Sequence, residues 1–221
     1  MKPWAMKSSL PGNVSDHLQH RISKIETMTG SEIILSTVRR SDSYPEIPWK
    51  AFAIGVSVTG FAVFIADILL MKWITQGIIL LSFVTTLASG LLLVLLTMLL
   101  PGFARLFLMK GRAECEVRQY AESLFLSKEM FLTRERKGIL VLVSIFEQKV
   151  VLLVDVGIRP LLAAPVMKEI IARMTPLLAR KDLPGALEIA LDELSLRLKS
   201  PTAGKAGLNE LPDEIIENQG I

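Results

Sequence analysis

At 221 residues, with 51% hydrophobic and 21% charged side chains and a mean hydropathy of +0.45, the chain is too apolar to be disordered and unusually apolar for a soluble protein. A formal net charge of +3 is too small to argue for nucleic acid as a partner, and one cysteine, Cys115, cannot form an internal disulfide, so no oxidising compartment is implied. The apolar excess is concentrated: residues 51–100 hold two charged residues, Asp67 and Lys72, while the other 171 hold 45, an ordinary soluble density of about one in four.

Residues 1–12 carry basic charge but no apolar core of signal-peptide length, so this N-terminal extension is not expected to be a cleavable signal. Asn13 or Ser15 can cap a helix to about Met28, with Val14, Leu18, Ile22 and Ile25 at helical spacing and Thr29-Gly30 as the stop. Residues 31–40 are rich in β-branched side chains and read as a strand that buries Ile33, Leu35 and Val38. Tyr44-Pro45 and Ile47-Pro48 predict an extended lead over Ser41 to Pro48.

Two stretches follow that are long and apolar enough to cross a bilayer, Ala51 to Met71 and Ile74 to Leu100, within a hairpin bounded at 49–100. Each spans roughly 30 Å or more at 1.5 Å per residue, so Met71-Lys72-Trp73 must turn abruptly, with Trp73 at the interface. The flanks carry Arg39, Arg40, Lys50, Arg105, Lys110, Arg112 and Arg118 against the connector's lone Lys72. That asymmetry predicts a multi-pass protein of the inner membrane with both termini cytoplasmic. Asp67 lies about one turn from the connector and reads as an end residue that snorkels or meets Lys72. Gly55, Thr59, Ala62 and Ala66 share one helical face, as do Ser82, Thr86 and Ser89 or Gly90. Such faces predict close packing, either inside the hairpin or between copies in the bilayer.

After Pro101-Gly102, an amphipathic piece containing Phe103, Arg105, Leu106, Phe107 and Lys110 is expected at headgroup level, with Arg105, Lys110 and Arg112 as interface cations. A helix from about Arg112 to Phe131 then carries the apolar stripe Val117, Tyr120, Ala121, Leu124 and Phe125. ILVLVSIF (139–146) and VVLLVDVGI (150–158), separated by Glu147-Gln148-Lys149, read as a hairpin of strands buried on both faces. Helices are predicted from Pro160 to about Ala179, kinked or ended near Thr175 by Pro176, and from Leu183 to Leu198, capped by Asp182 or its neighbours. The acidic stretch 201–221 reads as a mobile tail with one short helix.

The strand at 31–40 has no partner before 139, so the polar stretches 13–48 and 101–200 must fold together around the inserted hairpin. The expected fold is a three-layer α/β/α sandwich interrupted by a two-helix transmembrane hairpin.

The order Thr29-Gly30-Ser31-Glu32-Ile33, Ala121 to Phe125, Thr133-Arg134 through Lys137-Gly138-Ile139-Leu140-Val141 and Ser144, then Val154-Asp155-Val156-Gly157-Ile158, resembles the TPM domain. Asn209-Glu210-Leu211-Pro212-Asp213 is similar to the ends of bacterial membrane members, so the resemblance spans about 13–213. It implies a three-layer α/β/α fold. Functionally it implies less, because plant members are described as acid phosphatases, some members bind calcium, and others are accessory subunits of membrane complexes. Many members have Thr-Gly-x-Gly where this chain has Val154-Asp155-Val156-Gly157.

Strand-end carboxylates of an open α/β sheet project toward the crevice where ligands bind, which singles out Asp155, Glu32 and Glu135 as ligands for Ca²⁺ or Mg²⁺ if they converge. The alternative is that Asp155 bonds nearby amides while Glu32 and Glu135 are solvated. His17 and His20 lack a third zinc ligand and read as a solvated face. Glu114 and Glu116 would raise rather than lower the Cys115 thiol pKa, and Ser144 has no visible catalytic partner and reads as core. With no Gly-rich phosphate loop, two expectations stand. The first is a membrane-tethered, non-catalytic module that binds a membrane-protein partner or itself; the second is a divalent-metal phosphohydrolase using Asp155 with Glu32 or Glu135.

Overall fold

A computed structural model describes residues 12–70, 76–133, 135–198 and 215–220. They divide into two compact units: Ser43–Ala113, and the described residues before and after that segment.

The split unit is built on a sheet of four strands, β1 (Glu32–Arg40), β2 (Gly138–Ser144), β3 (Lys149–Val154) and β4 (Ile215–Gly220), in the order β3-β2-β1-β4. β1 runs parallel to β2 from Glu32 beside Gly138 to Val38 beside Ser144, and β3 returns antiparallel with Val154 beside Ile139. Alternate side chains serve opposite faces. Ile33, Leu35, Ile139, Val141, Val143 and Leu152 share one core with helices α1 (Gly12–Thr29), α6 (Ala164–Ala179) and α7 (Leu183–Leu198). Ile34, Val38, Leu140, Leu142 and Ile216 share the other with α5 (Lys110–Ser127) and Met130 of the following short 3₁₀ turn. Burial on both faces explains why every position of β2 is apolar or small and shielded, with no polar alternation. The architecture is a three-layer α/β/α sandwich.

Helix ends follow local chemistry. The Asp182 carboxylate accepts from the Gly185 amide at 3.0 Å and caps α7. α6 does not stop at Thr175. It continues through Pro176 to Ala179, because Leu177 and Leu178 pack on the core and hold the last turn helical. On α7, Glu193 is buried and takes Arg173 of α6 at 2.5 Å; Arg173 also reaches Glu169 at 3.0 Å, and Arg197 reaches Glu169 at 2.9 Å. His17 lies exposed on α1, 3.6 Å from Glu188, and His20 is exposed too.

The described part of the tail, 215–220, is a strand where a mobile tail with one short helix is expected. β4 runs parallel to β1, with Ile215 beside Leu35 and Gly220 beside Arg40. Ile216 enters the core, and its carbonyl accepts from the Ser36 hydroxyl at 3.2 Å. An open edge of β1 supplies backbone partners that override the weak strand character of IIENQG. The N-terminal extension up to residue 11, the Met71-Lys72-Trp73 turn, Arg134 and the Asn209–Asp213 motif lie outside the described residues.

The unit Ser43–Ala113 contains α2 (Glu46–Leu70), α3 (Gln76–Leu99), α4 (Pro101–Ala104), a 3₁₀ turn at Arg105–Phe107 and the start of α5. The extended lead is shorter than expected, since α2 already starts at Glu46. Pro48 falls in its first turn, where backbone amides have no helical acceptor and proline costs little. α2 and α3 are long and apolar enough to cross a membrane, and almost none of their surface is buried.

Candidate functional site

β3 is antiparallel, so its end meets the beginnings of β1 and β2, and Asp155, Glu32 and the Glu135 loop all lie along one edge of the sheet. Backbone bonds stitch that edge: Glu32 N–H donates to the Lys137 carbonyl at 3.2 Å, Asp155 N–H to Gly138 at 2.9 Å and Gly157 N–H to Arg136 at 2.9 Å. This is the amino edge of the parallel strands. The ligand crevice of open α/β sheets forms at the carboxyl edge, so the crevice argument does not apply to these three residues.

Their partners further define the site. The buried Asp155 carboxylate receives a two-pronged bond from Arg136, Nε at 2.6 Å and a terminal nitrogen at 2.9 Å, and a third from the Val156 amide at 2.7 Å. Exposed Glu135 pairs with Lys137, and Glu32 is buried at the start of β1. Among the described residues no three His, Cys, Asp or Glu side chains form a group that could hold a metal ion. As arranged, the oxygens of Asp155 are committed to a guanidinium and an amide, which does not fit a divalent-cation site. Arg136 and Lys137 were not anticipated as partners. The signal was present, since both directly follow Glu135, but spacing alone does not show that the backbone at Arg136, at φ 55°, turns its side chain toward Asp155.

Burial pushes the Asp155 carboxyl upward, but the bonds from Arg136 and the Val156 amide, together with the Arg136 and Arg159 charges, outweigh it and hold the group below the usual carboxylate range. A depressed folded-state pKa gives stability that is present above the unfolded value of about 3.9 and lost as pH falls through the folded one. Asp155→Asn is therefore expected to cost about 1–3 kcal/mol at pH 7. Its deficit relative to the wild type should shrink below about pH 4. Urea unfolding of the detergent-solubilised chain at pH 7 and pH 3 measures both effects.

The carboxyl edge carries a second polar cluster. Glu147, in the turn after β2, accepts from the Ser41 amide at 2.9 Å and from the Ser144 hydroxyl, while the Ser41 hydroxyl donates to Ser144 at 3.2 Å. All three are buried, and Arg40 stacks on Phe146 at 4.7 Å. Ser144 thus has a carboxylate partner that sequence reading missed, three residues downstream. The cluster has no histidine and fixes the end of β1 to the β2–β3 turn.

Within the hairpin, Gly55 approaches the Gly90 backbone, and the Ser89 hydroxyl donates to the Gly55 carbonyl at 3.1 Å. Thr59, Ala66, Ser82 and Thr86 are half-buried, whereas Ala62 is exposed, with Gly60 and Val63 half-buried near it. Arg112 is 3.2 Å from Glu46, Arg105 sits in the 3₁₀ turn, and Lys110 is exposed at the start of α5. Trp73 lies outside the described residues.

The segment that forms most of these features, residues 108–196, matches the model of the TPM domain. This segment is similar to the TPM domain. The match takes in α5, β2, β3, α6 and α7; β1 lies outside it in sequence and joins the same sheet by pairing with β2. The fold is similar to that of the BA42 protein from the psychrophilic bacterium Bizionia argentinensis, solved by NMR, with a TM-score of 0.56 and 13% identity over 96% of this chain and 98% of that one. At that identity the likeness concerns the fold. No curated protein sequence matches the chain.

Proposed function

We propose that the protein is an integral protein of the inner membrane, anchored by α2 and α3, whose TPM domain is a non-catalytic binding or assembly module on the cytoplasmic side. The observation that carries this reading is the exposed apolar surface of the hairpin. Ile54, Val58, Phe61, Phe64, Ile68 and Leu69 on α2, and Leu80, Phe83, Leu91 and Met98 on α3, all stand more than half exposed or nearly so. In water a surface of that extent would drive aggregation; in hydrocarbon it is the correct solvent. The Asp155 carboxylate, held by Arg136 and the Val156 amide, supports the non-catalytic part, since a phosphohydrolase using Asp155 would first have to displace Arg136.

Cys115, the chain's one cysteine, is exposed on α5 and reports the topology directly. A membrane-impermeant maleimide is expected to label it in inverted vesicles and not in intact cells, with the chain retained in the membrane pellet at alkaline pH. Release by alkali removes the membrane reading, and labelling from outside reverses the orientation. Phosphate release from p-nitrophenyl phosphate with added Mg²⁺ or Ca²⁺, lost in Asp155→Asn, would replace the non-catalytic reading with the hydrolytic one.

A further inference from the structure

We infer that the outer edge of β1 is a strand-docking site and that residues 215–220 of a second copy of this chain occupy it, so that copies exchange β4. The inference names a partner for the assembly role above, and it rests on the membrane anchor for the confinement that brings copies together. The site selects a defined chemistry. β4 lies parallel to β1, with Ile215 beside Leu35 and Ile216 beside Ser36. Successive side chains of a strand go to opposite faces, so two consecutive aliphatic residues enter two separate cores. Ile215 packs against the one that holds Leu35, and Ile216 is buried in the one that holds Ile34, Val117 and Leu124. The bond from the Ser36 hydroxyl to the Ile216 carbonyl fixes the register.

The attachment is shallow on one side and costly to lose on the other. β4 is the last strand of the order β3-β2-β1-β4, so its departure breaks no strand pairing but its own with β1. Glu217, Asn218 and Gly220 are poor strand formers, and among the described side chains of β4 Ile216 is the buried one. An edge strand anchored in this way opens by local unfolding. Each opening strips one edge of β1, a strand buried from Glu32 to Val38, and an unpaired edge of that kind recruits a matching strand. A second copy brings the same six residues and restores every contact, which makes exchange a low-cost route to a dimer. Sixteen residues, 199–214, separate α7 from β4. Extended, they reach about 50 Å, more than the diameter of a small domain at about 30 Å, so β4 can pass to a neighbouring copy.

The test uses full chains carrying Cys115→Ser, two differently tagged forms of which are co-expressed and their membranes mildly oxidised. Val38 pairs with Asn218 and Arg40 with Gly220, so Gln219 falls beside Arg39. Paired strands lie about 4.8 Å apart, within the span of a disulfide. One form carries Arg39→Cys and the other Gln219→Cys, and a disulfide-linked pair with both tags is the expected product. Ile216→Asp in the Gln219→Cys form should reduce it about tenfold, since the aliphatic anchor is lost. Lys168→Cys, exposed on α6, replaces Arg39→Cys to read random collision and should give little product. A linked pair formed equally with Lys168→Cys, or undiminished by Ile216→Asp, overturns the exchange. So does the absence of a linked pair when a single chain carrying both Arg39→Cys and Gln219→Cys closes within itself. Failure of that chain to close overturns the β1–β4 pairing and the docking site with it. Alkaline extraction of the same membranes reads the anchor separately, so pelleted chain without a linked pair overturns the exchange and leaves the membrane reading standing.

Discussion

Gly157→Ala is expected to be the most damaging single-atom change in the α/β unit. A Cβ at position 157 would lie 2.2 Å from the Glu135 carbonyl oxygen and 2.8 Å from that of Arg136, both backbone atoms with no rotamer to escape into. Neither strand end can retreat easily. Gly157 N–H is bonded to Arg136, Asp155 N–H to Gly138, and the Asp155 side chain to Arg136, so moving one loop breaks the stitching of the whole amino edge. Overpacking normally costs about 1–3 kcal/mol, and a clash with fixed backbone belongs at or above the top of that range. Against a typical total of about 5–15 kcal/mol this is a large fraction. Urea unfolding of the detergent-solubilised chain gives the number, and the acid-dependent stability contributed by Asp155 should disappear along with it. Gly111→Ala is the control, since nothing lies within 4 Å of a Cβ there and helix propensity favours alanine. Near-wild-type stability in Gly157→Ala would mean that the two loops are not held as close as the structure places them.

Gly55→Ala should act as strongly within the hairpin. Its Cβ would meet the Gly90 Cα at 2.9 Å and the Ser89 carbonyl at 3.0 Å, which forces the two helix backbones apart and stretches the bond from Ser89 to Gly55. Small-residue seams hold membrane helices together by close van der Waals contact, because hydrocarbon supplies no hydrophobic drive toward association. The expected cost is again about 1–3 kcal/mol. Gly60→Ala, one turn further on, would place its Cβ 3.9 Å from a Thr86 methyl group and should be tolerated or mildly stabilising. Thermal unfolding in detergent compares the two variants. If Gly55→Ala altered oligomer size while leaving hairpin stability unchanged, the small-residue face would belong to contacts between copies.

These two glycines illustrate what the sequence could and could not disclose. Periodicity located α1, β1, the β2–β3 hairpin, α5, α6 and α7 within a few residues, because each buries a face whose apolar spacing is set by its own geometry. It failed where structure is dictated by a distant partner. IIENQG carries only two apolar residues and is a strand solely because β1 offers it an unpaired edge. Local chemistry lets Pro176 either kink or end α6; the helix runs on because Leu177 and Leu178 are held on the core beyond it.

The candidate site divides in the same way. Strand order places Asp155, Glu32 and Glu135 along the amino edge of the sheet. Which cation sits on which carboxylate depends on loop conformations such as the left-handed Arg136, and no spacing rule encodes that. On the hairpin, helical spacing selected Gly55, Thr59 and Ala66 but also Ala62, which the seam leaves exposed.

The placement of β1 between β2 and β4 also bears on how the protein is made. Both neighbours of β1 are translated after it, and residues 41–137 separate its end from the first residue of β2. At about 5–20 residues per second the ribosome needs several seconds to cover that distance, much longer than a strand takes to find a partner already present. During that interval Glu32–Arg40 has no sheet to join, and the greasy segment behind it leaves the exit tunnel first. The apolar hairpin therefore emerges before the domain can close. The nascent β1 keeps both of its edges open until the second half of the chain arrives.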